Sequence, residues 1–528
     1  MAARRNPDLW IAAALAAATV AAYAPLWRNG FVAIDDAEYV AQNPIVLAGL
    51  SWHGLAWAFQ TNAAANWHPL TWLSLMADAQ LFGARPSGYH ATSLLLHVAN
   101  VGLVFFGLRG AQAPRWPSAL AAALFALHPL RVESVAWVAE RKDVLCAFLY
   151  LLALVAWGRF ARGLRFGWGA ALAFGALALL AKPMAVSLPL ALWIVDRWPL
   201  RRRLALRREA LETLPFFALA AASCAVTLLV QLTSGATEAW MRPPLWARIA
   251  FTPVAFLRYL ELFLWPSGLA VLYPHPGASL AMGEVVAAVG VLLAITAFAV
   301  ESRRRRPWLL WGWLWFLVTL VPVIGLVHVG FQGIADRYTY LPSLGLSVAF
   351  AFGAAELAER VRVPVAARAA LAGVVLAALA LVTAQQLTYW RDGVTLLERA
   401  LAVTRDNFAV QAFLAAELGN DGHRDQAAAH YREALRIRPD FPHAHYGLGV
   451  TYEEQGNVRA AIEEYRAALL ANPDFANAHF NLANLLGQSG DLEGAEQHYR
   501  RALALDPAND GAKRGLALVQ QLLQQRPR

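Results

Sequence analysis

The sequence carries little charge for its length. Of its 528 residues, 15% are Asp, Glu, Lys or Arg and 58% are hydrophobic, whereas about 25% of residues are charged in typical soluble domains. This deficit and a mean hydropathy of +0.42 indicate a membrane protein. Apolar runs end near Leu387, and the chain then becomes polar and helix-like. We therefore predict an all-α protein with a polytopic membrane domain over 1–389 and a second domain over 390–528.

Cysteine is also scarce, which argues against a disulfide framework. The two cysteines, Cys146 and Cys224, both lie in apolar segments and are expected to behave as small hydrophobic residues. The sequence further lacks a Walker loop, a His-Glu-x-x-His motif and paired Cys-x-x-Cys motifs. No persuasive cleavage site follows the first apolar stretch, so an uncleaved first span is expected.

The net charge of +9 raises the question of nucleic-acid binding. Basic patches bind phosphate backbones, but the arginine clusters here lie in short loops between apolar segments. Positive charge in such loops sets the orientation of a membrane protein. We therefore predict no nucleic-acid partner.

A bilayer core requires about 20 apolar residues per helix, and the sequence contains about eleven candidate spans. These are 9–27, 90–109, 118–134, 143–160, 166–181, 184–198, 211–232, 281–300, 307–328, 338–358 and 369–387. The apolar stretch 246–265 also carries Arg248, Arg258 and Glu261. It is interpreted as interfacial or re-entrant.

The positions of the arginines predict the orientation of these spans, because cytoplasmic loops are rich in Lys and Arg. Arg4 and Arg5 place the N-terminus in the cytoplasm. With eleven spans, the later basic loops fall on the same side; they contain Arg109, Arg115, Arg159, Arg162, Arg165, Arg201, Arg202, Arg203, Arg207, Arg208, Arg303–Arg306, Arg360, Arg362 and Arg368. If 246–265 also spanned, the basic loops that follow it, with Arg303–Arg306 and with Arg360, Arg362 and Arg368, would lie on the wrong side. The C-terminal domain is therefore expected outside the cytoplasm.

The C-terminal domain contains a repeat with a period of 34 residues. Pro439, Pro473 and Pro507 follow this spacing, as do the tyrosines, alanines and glycines Tyr431, Tyr465, Tyr499, Ala434, Ala468, Ala502, Gly422, Gly456 and Gly490. This is the period of the tetratricopeptide repeat (TPR), a helix pair that stacks into an α-solenoid. Three copies cover about 408–509, a degenerate half repeat covers 390–405, and 510–528 is expected to cap the stack. Such solenoids bind peptides or proteins, and a purely structural role is the alternative.

Acidic and basic side chains gather in the loops predicted to face outward. Loop 28–89 contains Asp35 and Asp36, and the loops 128–143 and 329–342 each mix acids with Arg or Lys. A carboxylate can remove a proton from an attacking hydroxyl, while Arg and Lys can stabilise a leaving phosphate. This combination suits transfer from a lipid-linked phosphate donor. The adjacent aspartates are alternatively oxygen ligands for a divalent metal or a solvated turn.

Seven segments in this order resemble a known family. They are FVAIDDAEYVAQNP, NWHPLTWLSLMADAQLFG, GYHATSLLLHVAN, FALHPLRVESVAWVAERKDVL, LAKPMAVSLPLALWIVDRWPL, FLRYLELFLWPSGLAVLYP and ADRYTYLP. Together they are similar to the transmembrane-and-tetratricopeptide-repeat O-mannosyltransferase family, whose membrane domain is of the GT-C glycosyltransferase type. The Ala- and Arg-rich composition and the small number of repeats indicate a bacterial member.

This resemblance implies an inverting transfer from a polyprenyl-phosphate sugar, mannose in the family, on the non-cytoplasmic face. By resemblance Asp35 is the leading candidate for the catalytic base, and Asp36 supports it. From their charge and position, further residues are expected to line the donor site: Glu133, Arg141, Lys142, Asp143, Lys182, Asp336, Arg337 and Tyr338. No protein ligand set for a metal is predicted, and a divalent metal requirement stays open.

The sequence therefore predicts an integral protein of a bacterial inner membrane, with a periplasmic TPR domain that holds a protein or peptide acceptor. The expected acceptor group is a Ser or Thr hydroxyl. Two alternatives remain. A membrane-anchored scaffold for envelope assembly would need none of the outer acids and cations, and a ligase or polymerase of lipid-linked oligosaccharides would use the same chemistry on larger glycans.

Overall fold

The computed structural model describes residues 6–32, 34–202, 204–233, 243–326 and 330–525. The chain divides into two compact units, Met1–Leu396 and Leu397–Arg528. The boundary lies shortly after the position expected from the change in composition. The described residues are mainly helical, with one two-stranded sheet, which confirms the all-α fold class.

The first unit contains sixteen described α-helices and starts a seventeenth. The helices are α1 (Pro7–Ala22), α2 (Pro44–Leu47), α3 (Trp52–Gln60), α4 (Pro69–Phe82), α5 (Pro86–Gly110), α6 (Arg115–Leu127), α7 (Val132–Ala136), α8 (Arg141–Ala161), α9 (Phe166–Ala181), α10 (Leu188–Arg197), α11 (Leu206–Thr233), α12 (Leu245–Leu264), α13 (Met282–Ser302), α14 (Pro307–Leu320), α15 (Pro342–Arg360), α16 (Val365–Thr388) and α17 (Gly393–Val403). Many begin with proline in the first turn, where its missing N–H costs nothing.

The second unit continues as helix pairs. These are α18 (Phe408–Asn420) with α19 (Arg424–Ile437), α20 (Pro442–Glu454) with α21 (Val458–Ala471), and α22 (Ala476–Gln488) with α23 (Leu492–Leu505), followed by α24 (Asp510–Gln525). A glycine lies two residues after the end of the first helix of each pair. These glycines, Gly422, Gly456 and Gly490, all have positive φ, a conformation that glycine adopts without strain. A Cβ on Gly449 would lie 2.6 Å from the Tyr465 ring. The repeated glycine and tyrosine therefore allow the close helix packing expected from the period.

Five helical segments are long and apolar enough to cross a membrane: Pro86–Gly110, Val138–Ala161, Leu206–Leu232, Met282–Ser302 and Val365–Thr388. A sixth is obtained if Arg115–Leu127 and Pro129–Ala136, bent by 57°, form one broken span. These helices indicate an integral membrane protein.

The predicted number of eleven spans is not confirmed. Three further predicted spans, 9–27, 166–181 and 307–328, coincide with shorter apolar helices, Pro7–Ala22, Phe166–Ala181 and Pro307–Val323. The predicted span 184–198 corresponds to the ten residues of α10, and 338–358 begins in a 3₁₀ turn at Asp336–Thr339 before α15 starts. The helix α12, which overlaps the stretch 246–265 interpreted as non-spanning, is not among the five long segments.

The loop before α15, residues 335–341, is held by a strand pair and by helix α14. Strand β1 (Tyr273–Pro274) pairs antiparallel with β2 (Gln332–Ile334) directly before this loop, and the Trp315 indole of α14 donates a hydrogen bond to the Leu341 carbonyl at 2.9 Å. Helices α14 and α15 themselves meet at two glycines, because a Cβ on Gly312 would lie 2.6 Å from the Gly345 carbonyl. Small residues permit such close approach of membrane helices.

Candidate active site

Asp36 is a structural residue of the first acidic loop. Its side chain is 1% exposed, and both carboxylate oxygens accept backbone N–H groups, from Val32 at 2.9 Å and from Ala139 at 2.7 Å. Burial raises the pKa of Asp36 to about 7, although the two N–H donors oppose this shift. These bonds fix the loop against the segment that precedes α8.

Asp35 has a different environment from its neighbour. It is half-buried, and within the described part of the chain no hydrogen bond or ion pair occupies its carboxylate. Burial raises the pKa of Asp35, and the charges of Lys142 and Arg337 partly counteract this effect. A free carboxylate with a raised pKa beside two cations has the properties of a general base.

Three cations converge on the buried carboxylate of Glu140. Oε1 lies 3.1 Å from Lys142 Nζ and 3.2 Å from Arg337 Nε, and Oε2 lies 3.2 Å from Lys182 Nζ. We call these four residues the Glu140 cluster. They come from different parts of the sequence: the start of α8, the residue after α9, and the loop before α15.

Two further acids complete the charges around the Glu140 cluster. Glu133 pairs with the Arg337 guanidinium and also accepts the Arg337 backbone N–H at 2.9 Å. Asp143 lies 2.5 Å from Lys182 Nζ and accepts a hydrogen bond from Ser134 Oγ at 2.9 Å. Burial alone would lower the pKa of Lys182, but Asp143 and Glu140 outweigh it and raise the pKa.

The three cations differ in their free hydrogen-bonding capacity. An ammonium has three donors, and those of Lys142 face Glu140, the Tyr39 hydroxyl at 3.3 Å and the Ala139 carbonyl at 3.2 Å. Lys182 has two carboxylate partners, and Nη2 of Arg337 donates no hydrogen bond to the residues described. Lys182 and Arg337 therefore retain donors for an incoming anion.

Aromatic rings surround these cations. Lys142 Nζ is 4.8 Å from the centre of the Tyr39 ring, which stacks on His68. The Arg337 guanidinium is 5.2 Å from the Trp137 ring and 5.0 Å from the Tyr338 ring. Aromatic faces stabilise cations, particularly where water is excluded. The rings thus hold the cationic groups in position.

Asp336 lies next to the cluster but is bound elsewhere. Its Oδ1 accepts a hydrogen bond from the Tyr273 hydroxyl at 2.9 Å, which links the loop to β1. Burial, followed by the charge of Glu133, raises the pKa of Asp336 well above its ordinary value. Asp336 therefore helps to hold the loop before α15 in place.

Arg141 does not join the Glu140 cluster, although the sequence placed it in the donor site. Its guanidinium is fully buried, lies 2.7 Å from an oxygen of Asp78, and donates to the Tyr89 carbonyl at 2.6 Å and the Ser93 hydroxyl at 3.0 Å. Successive helical residues point about 100° apart, so Arg141 and Lys142 face different neighbours. Arg141 connects α8 to α4 and α5.

Seven of the predicted donor-site residues therefore lie at or beside one cluster, and Arg141 lies apart. Glu140, around which the cluster forms, was not among the residues selected from the sequence. The signal for it was its position in the AERKD stretch, next to two cations. Within the described residues, no group of three or more His, Cys, Asp or Glu side chains is arranged to hold a metal ion.

The fold and this site define a class: an α-helical integral membrane protein with a buried acid–cation cluster and a C-terminal TPR region. A family model described as "Tetratricopeptide repeat" matches residues 451–510, and one described as "TPR repeat" matches 422–456. These matches confirm the repeats.

The relatives of the full chain confirm the resemblance seen in the motifs. The chain is 26% identical over 501 residues to protein O-mannosyl-transferase TMTC4 of Homo sapiens, covering 80% of the chain and 66% of that protein. It is 24% identical to human protein O-mannosyl-transferase TMTC1, covering 83% of the chain and 56% of that protein. The chain thus spans less than two thirds of the length of these relatives.

A solved structure gives a weaker comparison. ArnT of Cupriavidus metallidurans, in a crystal structure with undecaprenyl phosphate, is 15% identical and matches 89% of this chain and 80% of its own. The TM-score is 0.38.

Proposed function

We propose that the chain is an inverting glycosyltransferase that moves a sugar from a polyprenyl-phosphate carrier to an acceptor hydroxyl. The observation that carries this proposal is the free carboxylate of Asp35 beside the cations of the Glu140 cluster. The relatives, which are named protein O-mannosyl-transferases, support mannose as the sugar and protein Ser or Thr as the acceptor.

The proposed reaction uses the two charged parts of the site separately. Asp35 removes the proton from the acceptor hydroxyl as its oxygen attacks the anomeric carbon of the sugar. The bond between that carbon and the phosphate oxygen breaks, and its electron pair leaves with the polyprenyl phosphate. The remaining donors of Lys182 and Arg337 stabilise the growing negative charge. Attack opposite the leaving group inverts the anomeric configuration.

Asp35→Asn tests the assignment of the base. Asparagine keeps the size of the side chain but cannot accept the proton, so we expect loss of transfer by about 100-fold or more, since general bases contribute about 10²–10⁴-fold. Glu38→Gln is the matched control, because Glu38 is an exposed acid of the same loop. Transfer would be measured with purified full-length protein, a synthetic polyprenyl-phosphate mannose and an acceptor peptide. Full activity of Asp35→Asn would exclude this base.

Arg337→Lys and Lys182→Gln test the phosphate site. Both should weaken donor binding and slow transfer, because each removes a donor that we assign to the phosphate. The readout is the donor KM together with kcat. Lys142→Gln is the comparison, because all three donors of the wild-type Lys142 ammonium already face protein partners. Equal donor KM values in the Arg337, Lys182 and wild-type enzymes would contradict this division of roles.

We further propose that the reaction takes place on the periplasmic face of a bacterial inner membrane, where the TPR region would present the acceptor. The basic loops support this orientation. A reporter fused after Arg528 should behave as periplasmic. Mass spectrometry of periplasmic glycoproteins, in a deletion strain complemented with wild type or Asp35→Asn, should identify acceptors modified only with the wild type. A cytoplasmic reporter would refute this placement.

A further inference from the structure

A cavity of about 420 Å³ lies between α5, α8, α10, α14 and α15. Small-ligand sites occupy about 300–1,000 Å³, so its volume suits a ligand. Its walls are mainly apolar and include Phe106, Leu154, Trp311 and Trp315. The described lining also contains Arg159 and Arg162 and no acidic residue.

This cavity is separate from the Glu140 cluster. Lys142 lies in the first turn of α8, and Arg159 lies in the last turn of the same helix. At 1.5 Å per residue their Cα atoms are roughly 25 Å apart along the helix axis. A ligand headgroup held at Arg159 is therefore at the opposite end of α8 from the proposed reaction.

The two arginines are not neutralised by the described protein. The Arg159 side chain is exposed and forms no hydrogen bond or ion pair with the described residues. Among the described residues, Arg162 donates only to backbone carbonyls, those of Gly158 at 3.0 Å and Gly110 at 2.6 Å. Two cations without an acid, next to an apolar cavity between membrane helices, are complementary to an amphiphile with an anionic headgroup.

We propose that this cavity binds the acyl chain of one anionic glycerophospholipid, with its phosphate at Arg159 and Arg162. The acyl chain of the lipid lies against Leu154, Trp311 and Trp315. It fills space between five helices that would otherwise be poorly packed. The bound lipid acts as a structural component of the membrane unit and takes no part in sugar transfer.

Lipid binding to the purified, delipidated full chain tests this site directly. Native mass spectrometry would follow titrations with dioctanoyl phosphatidylglycerol and dioctanoyl phosphatidylcholine. We expect phosphatidylglycerol to bind about tenfold more tightly than phosphatidylcholine. Arg159→Gln should weaken phosphatidylglycerol binding about tenfold, as expected for loss of one charge-assisted contact. Arg165→Gln is the matched control, because Arg165 is an exposed arginine outside the cavity lining.

Val155→Trp tests whether the acyl chain of the lipid lies in the cavity. Val155 lines the cavity, and the larger tryptophan side chain would fill it. Both lipids should bind this variant at least tenfold more weakly, while the melting temperature and elution profile report whether it is folded. Equal affinity for the two lipids, or unchanged binding to Arg159→Gln, would overturn the headgroup assignment. Full displacement of phosphatidylglycerol by an equal concentration of polyprenyl phosphate would instead make the cavity part of the donor site.

Discussion

Asp36 Oδ1 accepts the backbone N–H of Ala139 at 2.7 Å, although the two residues are about a hundred positions apart in sequence. Through this bond the buried acid of the first loop determines where its neighbour, Asp35, lies relative to the cations at the start of α8. The two adjacent aspartates thus have different roles. Asp36 positions the loop, and Asp35 is the proposed base.

Asp36→Ala should destabilise the protein and lower activity together. The substitution leaves two buried N–H groups without acceptors, at about 1–3 kcal/mol for each unsatisfied group. Thermal unfolding of the detergent-solubilised chain would measure the first effect and sugar transfer the second. Asp36→Asn, which retains one acceptor oxygen, should lie between Asp36→Ala and wild type. A wild-type melting temperature for Asp36→Ala would disprove the structural role.

The pH dependence of transfer should reveal Asp35. A general base must be ionised, so the rate falls as the pH drops below its pKa, which burial raises above the ordinary value. Lys142 is the largest of the charges that lower this pKa. Lys142→Met should therefore shift the acidic limb of kcat to higher pH. A limb that stays in place, or moves to lower pH, would show that Lys142 does not act on the titrating group.

Glu140→Gln should be severely destabilising because it removes the buried carboxylate shared by three cations. Breaking a buried ion pair by removing one partner costs about 3–5 kcal/mol. Lys182 keeps Asp143 and Arg337 keeps Glu133 as carboxylate partners, whereas Lys142 has no second carboxylate partner among the described residues. Adding Lys142→Met to Glu140→Gln therefore removes one uncompensated charge and should recover part of this loss. A double-mutant cycle of unfolding free energies would measure the coupling, and strict additivity of the two substitutions would contradict the arrangement.

Arg141→Met should affect folding more than substrate binding. Its guanidinium is paired with Asp78 and bonded to α5, so its loss leaves a buried carboxylate uncompensated, at about 3–5 kcal/mol. The fraction that remains folded should show a wild-type donor KM. The readouts are the melting temperature and the KM of the monodisperse fraction. A raised KM at unchanged stability would return Arg141 to the donor site.

The class of fold and the repeats were predictable because each depends on a local pattern. Apolar runs and the 34-residue period appear directly in the sequence. The site was only partly predictable. Charge and loop position selected Lys142 and Arg337, which the structure places together at Glu140. The side to which a helical residue turns, however, depends on packing. The sequence could not show that Arg141 faces Asp78, nor that Glu140 is the common partner of three cations.

The number of membrane spans was harder to predict for a related reason. Hydropathy measures composition, whereas a span also requires a continuous helix of sufficient length. The bend between α6 and the helices that follow it, and the 3₁₀ turn before α15, interrupt apolar stretches without a marked change in composition. Prolines at 129 and 342 are consistent with these interruptions.

The contact between Gly312 and Gly345 links the proposed chemistry to a distant part of the fold. Helix α14 holds the loop before α15 through Trp315, and that loop carries Arg337. A methyl group at either glycine would wedge the two helices apart and transmit the displacement to the guanidinium. A substitution in this purely apolar seam, which lies outside the proposed acid–cation site, would then resemble a catalytic defect in a genetic screen.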